Sequence, residues 1–481
     1  MKHILILAGI ALISSFLSAQ VIGGNGEGFT KVYTEKDIPY LQELTKDEAI
    51  AIRWPGGADA KFAFPSLDKP GLGMRKDSIA KLFEEFTDEE GTVKEEALER
   101  GLMQVEMEKM EVRSDMLDLI EVSRNVNNFQ VIYTLNIMTG NIESNIPVIQ
   151  TLLDSGVNII AIVAGNETFS SYNYEWKKYV RDFEPVLKAC EQEFPEIPRL
   201  LCMAQDVRKE NHALWNNQLI TYIHKTGEFI SGCDVHIYLT NDIKQAYEMH
   251  PKQVLFEEGK YYKELDAAFL TYIESYKEST FFDDFISYYN KKLPGKKLYC
   301  TEFGDKPAEY WSNTIANAGH TFEIFCAYRN DFEVLLVHNL MGNWLWAARR
   351  PARKIDNDSE EGENLNRCHW YSILLANELP LTVTPLQQKT EIKLKGEYIF
   401  YFNNAGGKAY MPVIKSDNGE VVSCEIHYVT GKYNYSSAGA TGFMAKGSLP
   451  NYEVKGIIIS RSDKIAEIPY NSFGYIKIFV N

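Results

Sequence analysis

The sequence predicts a (β/α)8 barrel followed by a C-terminal antiparallel β-sandwich, and three observations carry that prediction. Between about residues 50 and 378, short runs that are apolar on nearly every residue alternate with longer amphipathic stretches. Strands of a parallel sheet covered by helices on both faces have this texture. After about residue 380 the pattern becomes short alternating strands broken by Gly- and Asn-rich turns, the signature of an antiparallel sandwich. A doubly wound open sheet would place a Gly-rich phosphate loop after an early strand, and neither G-x-G-x-x-G nor G-x-x-x-x-G-K occurs here.

In chain order, Lys2 and the apolar run Ile4–Leu17, ended by Ser18 and Ala19, read as a signal peptide cleaved near Ala19. The run is too short for a membrane anchor, which needs roughly 20 apolar residues. No Cys follows it to take a lipid, and the expected location is secreted or periplasmic. The first barrel strand is expected within 20–35, around "QVIGG". The next seven are "AIAIRW" (49–54), "FQVIYTLN" (129–136), "VNIIAIVAGNE" (157–167), "RLLCMAQD" (199–206), "CDVHIYL" (233–239), "KLYCTEFG" (297–304) and "EVLLVHNLMGNW" (333–344). Helical stretches at 112–126, 142–155, 174–193, 211–226, 264–290 and 312–329 supply the crossovers. The expected division is signal peptide 1–19, barrel 20–379 and β-sandwich 380–481.

Composition narrows the partners. A net charge of −16 disfavours nucleic acid, anionic membrane surfaces and highly sulfated or carboxylated polymers, all of which need basic surface; a local basic groove is the exception. The seven Cys are scattered and never spaced C-x-x-C, so neither a disulfide framework nor a zinc site is expected, and Cys233, Cys300 and Cys326 read as buried thiols.

Active sites of such barrels lie at the C-terminal strand ends, so polar residues there are the informative ones. Arg53, Asn136, Asn166 and Glu167, His236 and Tyr238, Glu302 and Trp344 all fall at those positions, with His338 and Asn339 as further candidates. Two Glu, on strands four and seven, face each other across a barrel of eight. A facing carboxyl pair is what glycoside hydrolysis needs, one protonating the leaving oxygen and the other attacking or activating water. Their pKa values must then be pushed apart. No His and Asp spacing offers a metal-ligand cluster, and no cofactor motif is present, so neither metal nor cofactor is expected.

"GNE" ending strand four and "TEFG" ending strand seven resemble the clan A retaining glycoside hydrolases over roughly residues 50–350, and "RWPGG" (53–57) resembles the R-[FYW]-P-G-G after strand two of family 51 arabinofuranosidases and their relatives. The resemblance implies Glu167 as acid/base, Glu302 as nucleophile, and Asn166 on the hydroxyl next to the reacting carbon. It places Arg53 and Tyr238 beside the nucleophile, His236 as a hydrogen-bonding group at the barrel rim, and Trp344 as an aromatic platform for a sugar face. Asn136 would also point toward substrate. Two departures from family 51 are visible: the stretch before strand two is short, and the residues around "AGNETFS" differ. The expected activity is an exported retaining glycosidase acting on an oligo- or polysaccharide. The rival from another class is a non-catalytic carbohydrate-binding protein on the same barrel. Oligomeric state is not readable.

Overall fold

The computed structural model describes residues 21–481 apart from internal stretches, the longest being 27–36, 85–101, 103–115, 240–262, 305–312, 350–365, 404–412 and 439–453. The leader 1–19 lies outside the described residues, as does Trp344.

Eight parallel strands close into a barrel: β1 (Val21–Asn25), β2 (Ile50–Trp54), β3 (Phe129–Thr134), β4 (Ile159–Ala164), β5 (Arg199–Met203), β6 (Gly232–Tyr238), β7 (Lys297–Gly304) and β8 (Val334–Val337). Closure comes from β1 pairing with both β2 and β8. Both faces of each strand are buried, which is why the sequence runs are apolar throughout. Small and branched side chains, among them Ala51, Ile132, Ala161, Val163, Leu200 and Leu336, fill the lumen as a separate cluster. The outward-facing residues pack on the helices. These include α1 (Ile38–Leu44), α2 (Lys76–Glu84), α3 (Met116–Asn125), α4 (Ile142–Asp154), α5 (Trp176–Glu193), α6 (Glu210–Thr226), α7 (Phe281–Lys292), α8 (Ile315–Tyr328) and α9 (Cys368–Asn377). In α5 the buried residues Tyr179, Phe183, Val186, Leu187 and Cys190 recur at helical spacing and form one stripe. No described helix is long and apolar enough to cross a membrane.

The predicted barrel is therefore present, with β1 at the weakest of the expected positions. Strand eight is shorter than its sequence run. It stops at Val337, and Asn339–Met341 forms a separate strand, β9, paired with β10 (Ala347–Arg349). All seven cysteines are free and buried, including Cys233, Cys300 and Cys326, whose apolar settings predicted it, and burial raises the Cys233 thiol to about 12.

The C-terminal region holds a five-stranded sheet built from β11 (Thr384–Pro385), β13 (Tyr398–Asn403), β15 (Val421–Thr430), β16 (Ile458–Ser462) and β17 (Ser472–Val480), in the order β11-β13-β17-β15-β16. Its long pairings are antiparallel, and a separate pair, β12 (Glu391–Leu394) with β14 (Val413–Ser416), runs parallel. Period-2 alternation gives the large sheet two faces. Ile399, Tyr401, Ile426, Ile476 and Ile478 share a core with Ile414 of β14. Phe400, Phe402 and Phe473 face α8, where Phe322 meets the Phe473 ring at 5.7 Å. Helix α8 is buried on nearly every residue because it lies between the barrel and this sheet.

The close approach of α8 to the sheet depends on Gly319, since a Cβ there would sit 2.5 Å from the Phe402 ring. In an exposed helix Gly→Ala gains about 1 kcal/mol. Gly319→Ala should instead lose stability, by roughly 1–3 kcal/mol, because overpacking outweighs helix propensity. Urea unfolding of the variant beside wild type measures the sign.

Candidate active site

The side chain that organises the barrel mouth is Glu302, near the end of β7. Its strand is not regular there: β7 pairs Cys300 with Val235 of β6 but Glu302 with His236, so β7 carries one extra residue. The register against β8 shifts over the same residues. A bulge of this kind re-aims side chains, and here it brings both Thr301 and Glu302 into contact with the inward-facing polar groups of β6. Thr301 donates from its backbone N–H to Asp234 Oδ1 (3.1 Å) and from its hydroxyl to Oδ2 (2.9 Å).

Glu302 is buried, which is costly for an isolated carboxylate. Three other strand ends supply donors. Asn25 Nδ2 from β1 and Arg53 Nη2 from β2 each donate to Oε2 at 2.6 Å. His338, the residue after β8, places Nδ1 2.8 Å from Oε1. A carboxylate can only accept, so Nδ1 of His338 carries the proton. The Tyr238 hydroxyl lies 2.9 Å from the same nitrogen, with the two rings edge to face. Burial alone would raise the Glu302 pKa, but His236, His338 and Arg53 hold it well below the ordinary carboxylate range. Glu302 is therefore a fixed anion.

Asp234, His236 and Tyr238 share one face of β6, two residues apart, and climb from the lumen to the mouth. His236 Nδ1 lies 3.1 Å from Glu167 Oε1. Its Nε2 faces Asp234 Oδ2 at 3.4 Å, Thr301 Oγ1 at 3.3 Å and the Nη1 of Arg53. A lone pair on Nε2 would accept from Arg53, whereas a proton there would point to Asp234. Burial and Arg53 lower the His236 pKa, and Glu302, Asp234 and Glu167 raise it. The three carboxylates prevail and carry it to about 9.

Glu167 follows β4 on a tight turn, with Gly165 at φ 85° and Glu167 itself at φ 44°. Left-handed backbone at a non-glycine residue is strained and concentrates at functional sites. The turn is anchored from behind by the Tyr179 hydroxyl, which donates to the Ala164 carbonyl and accepts from the Cys202 N–H, both at 2.8 Å. Asn166 is buried, and its Oδ1 accepts no hydrogen bond among the described residues. One oxygen each of Glu167 and Glu302 and a ring nitrogen of His236 all lie within 4.8 Å of one another.

Among the described residues that trio is also the only group spaced to hold a metal ion. The Arg53 guanidinium bonds Glu302 and touches His236, which puts positive charge where a cation would sit and makes the set a poor fit.

The structure thus gathers Arg53, Glu167, Asn166, His236, Tyr238 and Glu302 at the mouth. Tyr238 touches His338 rather than the nucleophile candidate directly. Asn136 does a different job: its Nδ2 donates to the Ala63 carbonyl (3.0 Å) and Thr139 Oγ1 (2.9 Å), and its Oδ1 accepts from the N–H groups of Thr139 and Gly140. Its amide is used within the protein as a loop clasp. Asn25, Asp234 and Thr301 were not singled out from sequence. Asn25 could have been found as the polar residue ending an apolar first strand, and Asp234 by its place two residues before His236.

No family model matches the chain, and no curated protein sequence does. Solved structures share its fold over nearly its whole length. The family 51 arabinofuranosidase from Xanthomonas axonopodis pv. citri is similar at 12% identity and TM-score 0.62, over 96% of this chain and 97% of that one. The family 51 α-L-arabinofuranosidase AbfB from Bifidobacterium longum is similar at 11% identity and TM-score 0.55, over 96% of each chain. A 4-O-α-L-rhamnosyl-β-D-glucuronidase from Fusarium oxysporum 12S is similar at 10% identity and TM-score 0.52, over 96% and 97%. At such identities the likeness is one of fold.

The raised pKa of His236 makes a stability prediction. Its contribution is complete below the ordinary value of 6.5 and is lost as pH climbs through about 9. Wild type should lose unfolding free energy across that window, and His236→Gln should not show the same loss; urea titrations at about pH 6 and about pH 10 compare them.

Proposed function

We propose that this chain is an exported retaining glycoside hydrolase that cleaves O-glycosidic bonds of an oligo- or polysaccharide by double displacement. The observation that carries the reading is the pairing of Glu167 and Glu302 across the barrel mouth, with carboxyl oxygens within 4.8 Å. A nearest approach this close favours the roughly 5–5.5 Å carboxyl separation of retaining enzymes over the roughly 6.5–9.5 Å of inverting ones. The glycosidases that share the fold support the same class. The apolar leader Ile4–Leu17 supports export.

The roles follow from the environments. Glu302 is held ionised by Asn25, Arg53 and His338 and is the group that attacks the anomeric carbon. Its three donors also orient it, so little reorganisation is needed as the bond forms. Glu167, partly open to solvent, protonates the leaving oxygen and then takes a proton from the water that hydrolyses the glycosyl-enzyme. His236 holds the Glu167 carboxyl from Nδ1 and fixes its direction. Asn166 offers Oδ1 as an acceptor for the hydroxyl beside the reacting carbon, a contact that strengthens as the ring flattens in the transition state. A sugar-binding protein without activity would need neither a clamped anion nor a second carboxyl facing it.

Glu302→Ala should abolish turnover of the cognate glycan. Glu167→Ala should cost roughly 10²–10⁴-fold on that glycan but far less on an activated aryl glycoside, where azide restores part of the rate. Proton NMR of the first product should show the anomeric configuration of the substrate. Full activity in both variants would remove the assignment, and saturable sugar binding with no hydrolysis over days would support the binding-protein reading instead.

A further inference from the structure

The loops on either side of the Glu167 turn differ in the donors they leave unused. After β3, both N–H groups of the Asn136 amide are taken, by the Ala63 carbonyl and by Thr139 Oγ1. After β5, the half-buried Gln205 accepts the Tyr238 N–H at Oε1 over 3.1 Å. A backbone N–H can be met only by the amide oxygen, so this bond fixes which way the amide faces. Oε1 extends the β5–β6 ladder, and Nε2 is left as a donor with no partner among the described residues.

The next peptide fixes a second donor in the same way. His212, in the first turn of α6, accepts the Asp206 N–H at Nδ1 over 3.2 Å. Nδ1 therefore carries the lone pair, and the proton of the neutral ring sits on Nε2. Burial lowers the His212 pKa and Lys209 adds to that against Asp206, which favours the neutral ring. Nε2 makes no hydrogen bond among the described residues. Phe169, two residues after Glu167, meets the His212 ring edge to face with centroids 5.1 Å apart. The buried Trp215 backs it at 6.4 Å, and Phe169 itself is only half-buried.

These three side chains occupy one sector of the barrel mouth. Glu302 on β7 is clamped from β8, β1 and β2, whereas Phe169, Gln205 and His212 follow β4 and β5. Glu167 belongs to the second sector: Phe169 follows it in the turn after β4, and Gln205 is bonded to β6 two residues beyond His236, which holds the Glu167 carboxyl. The leaving oxygen takes its proton from Glu167 and departs from the face of the anomeric carbon opposite Glu302. The departing unit therefore lies toward β4 and β5, away from the clamp.

We infer that Phe169, Gln205 and His212 form the subsite for the sugar on the leaving side of the scissile bond. Gln205 Nε2 and His212 Nε2 donate to oxygens of that sugar, and Phe169 offers an apolar ring to its C–H groups. The leaving group is accordingly a hydroxyl-bearing sugar unit and not a simple alcohol. Both donors are already oriented by backbone bonds, so little freedom is lost when the sugar arrives. The inference rests on the glycoside hydrolase reading and names what the same site binds. None of the three residues takes a step in the chemistry.

Two substitutions remove the donors and keep the backbone bonds. Gln205→Glu retains an oxygen for the Tyr238 N–H, and His212→Asn retains an acceptor for the Asp206 N–H. For each, kcat/KM is measured on the best-cleaved member of a plant and algal polysaccharide panel and on an activated aryl glycoside of the same reacting sugar. The ratio of glycan to aryl glycoside should fall about 3- to 10-fold, the range of one hydrogen bond. A purely structural role lowers both rates together, so an unchanged ratio in both variants overturns the inference. A second measurement needs no variant. Wild type turning over the aryl glycoside is offered either the sugar released from the leaving side of the glycan or methanol at the same concentration, whose hydroxyl replaces water in attacking the glycosyl-enzyme. Transfer to the sugar should exceed transfer to methanol by about 10-fold or more, as an occupied subsite requires. Equal transfer to both overturns the inference and leaves the hydrolase reading standing. Cleavage of neither glycan nor aryl glycoside overturns the hydrolase reading itself.

Discussion

A carboxylate buried at the mouth of a barrel has to be paired, and much of the upper architecture of this protein follows from pairing Glu302. Oε2 takes donors from the ends of β1 and β2, and Oε1 takes one from the end of β8. Strands β1 and β2 are distant in sequence from β7 and reach it only because the sheet closes, whereas β8 pairs with β7 directly. The clamp is therefore a consequence of barrel closure, and it holds Glu302 ionised where burial alone would favour the neutral acid. Removing any one donor leaves charge that the others must carry, so the cluster is tightly interdependent.

The bulge in β7 is the local device that makes the clamp possible. A regular strand would turn Thr301 and Glu302 to opposite faces. With one extra residue against both β6 and β8, Thr301 reaches Asp234 while Glu302 reaches across to Arg53 and Asn25. Asp234 in turn faces His236, and His236 reaches Glu167 on the far side of the mouth. The two carboxyl groups are thus connected through one histidine, and the strained turn at Glu167 is held by packing from α5 rather than by its own preference.

The fold was legible from sequence to a large degree because its determinants are local. Strands buried on both faces must be apolar throughout, crossover helices must carry one apolar stripe, and sandwich strands must alternate. The same logic located Glu167 and Glu302 at the ends of β4 and β7, and Arg53, His236 and Tyr238 near them. It was less reliable where a polar residue serves the scaffold. Asn136 has the right position for a substrate contact, yet its amide is taken up by the loop at 137–140 and by Ala63. Strand β8 stops at Val337, well before the end of its sequence run 333–344, because Asn339–Met341 leaves the barrel to pair with β10.

By itself, the sequence determined the strand count, the order of elements and the two strands that bear glutamates, since burial and hydrogen-bonding periodicity leave their mark on consecutive residues. Tertiary structure alone decided which groups surround those glutamates. Asn25 and His338 meet Glu302 across separations of 277 and 36 residues, through a register shift and a ring closure that no local pattern encodes. Partnership at the barrel mouth is set by how eight strands stagger against one another, and stagger is a property of the closed sheet, not of any one strand.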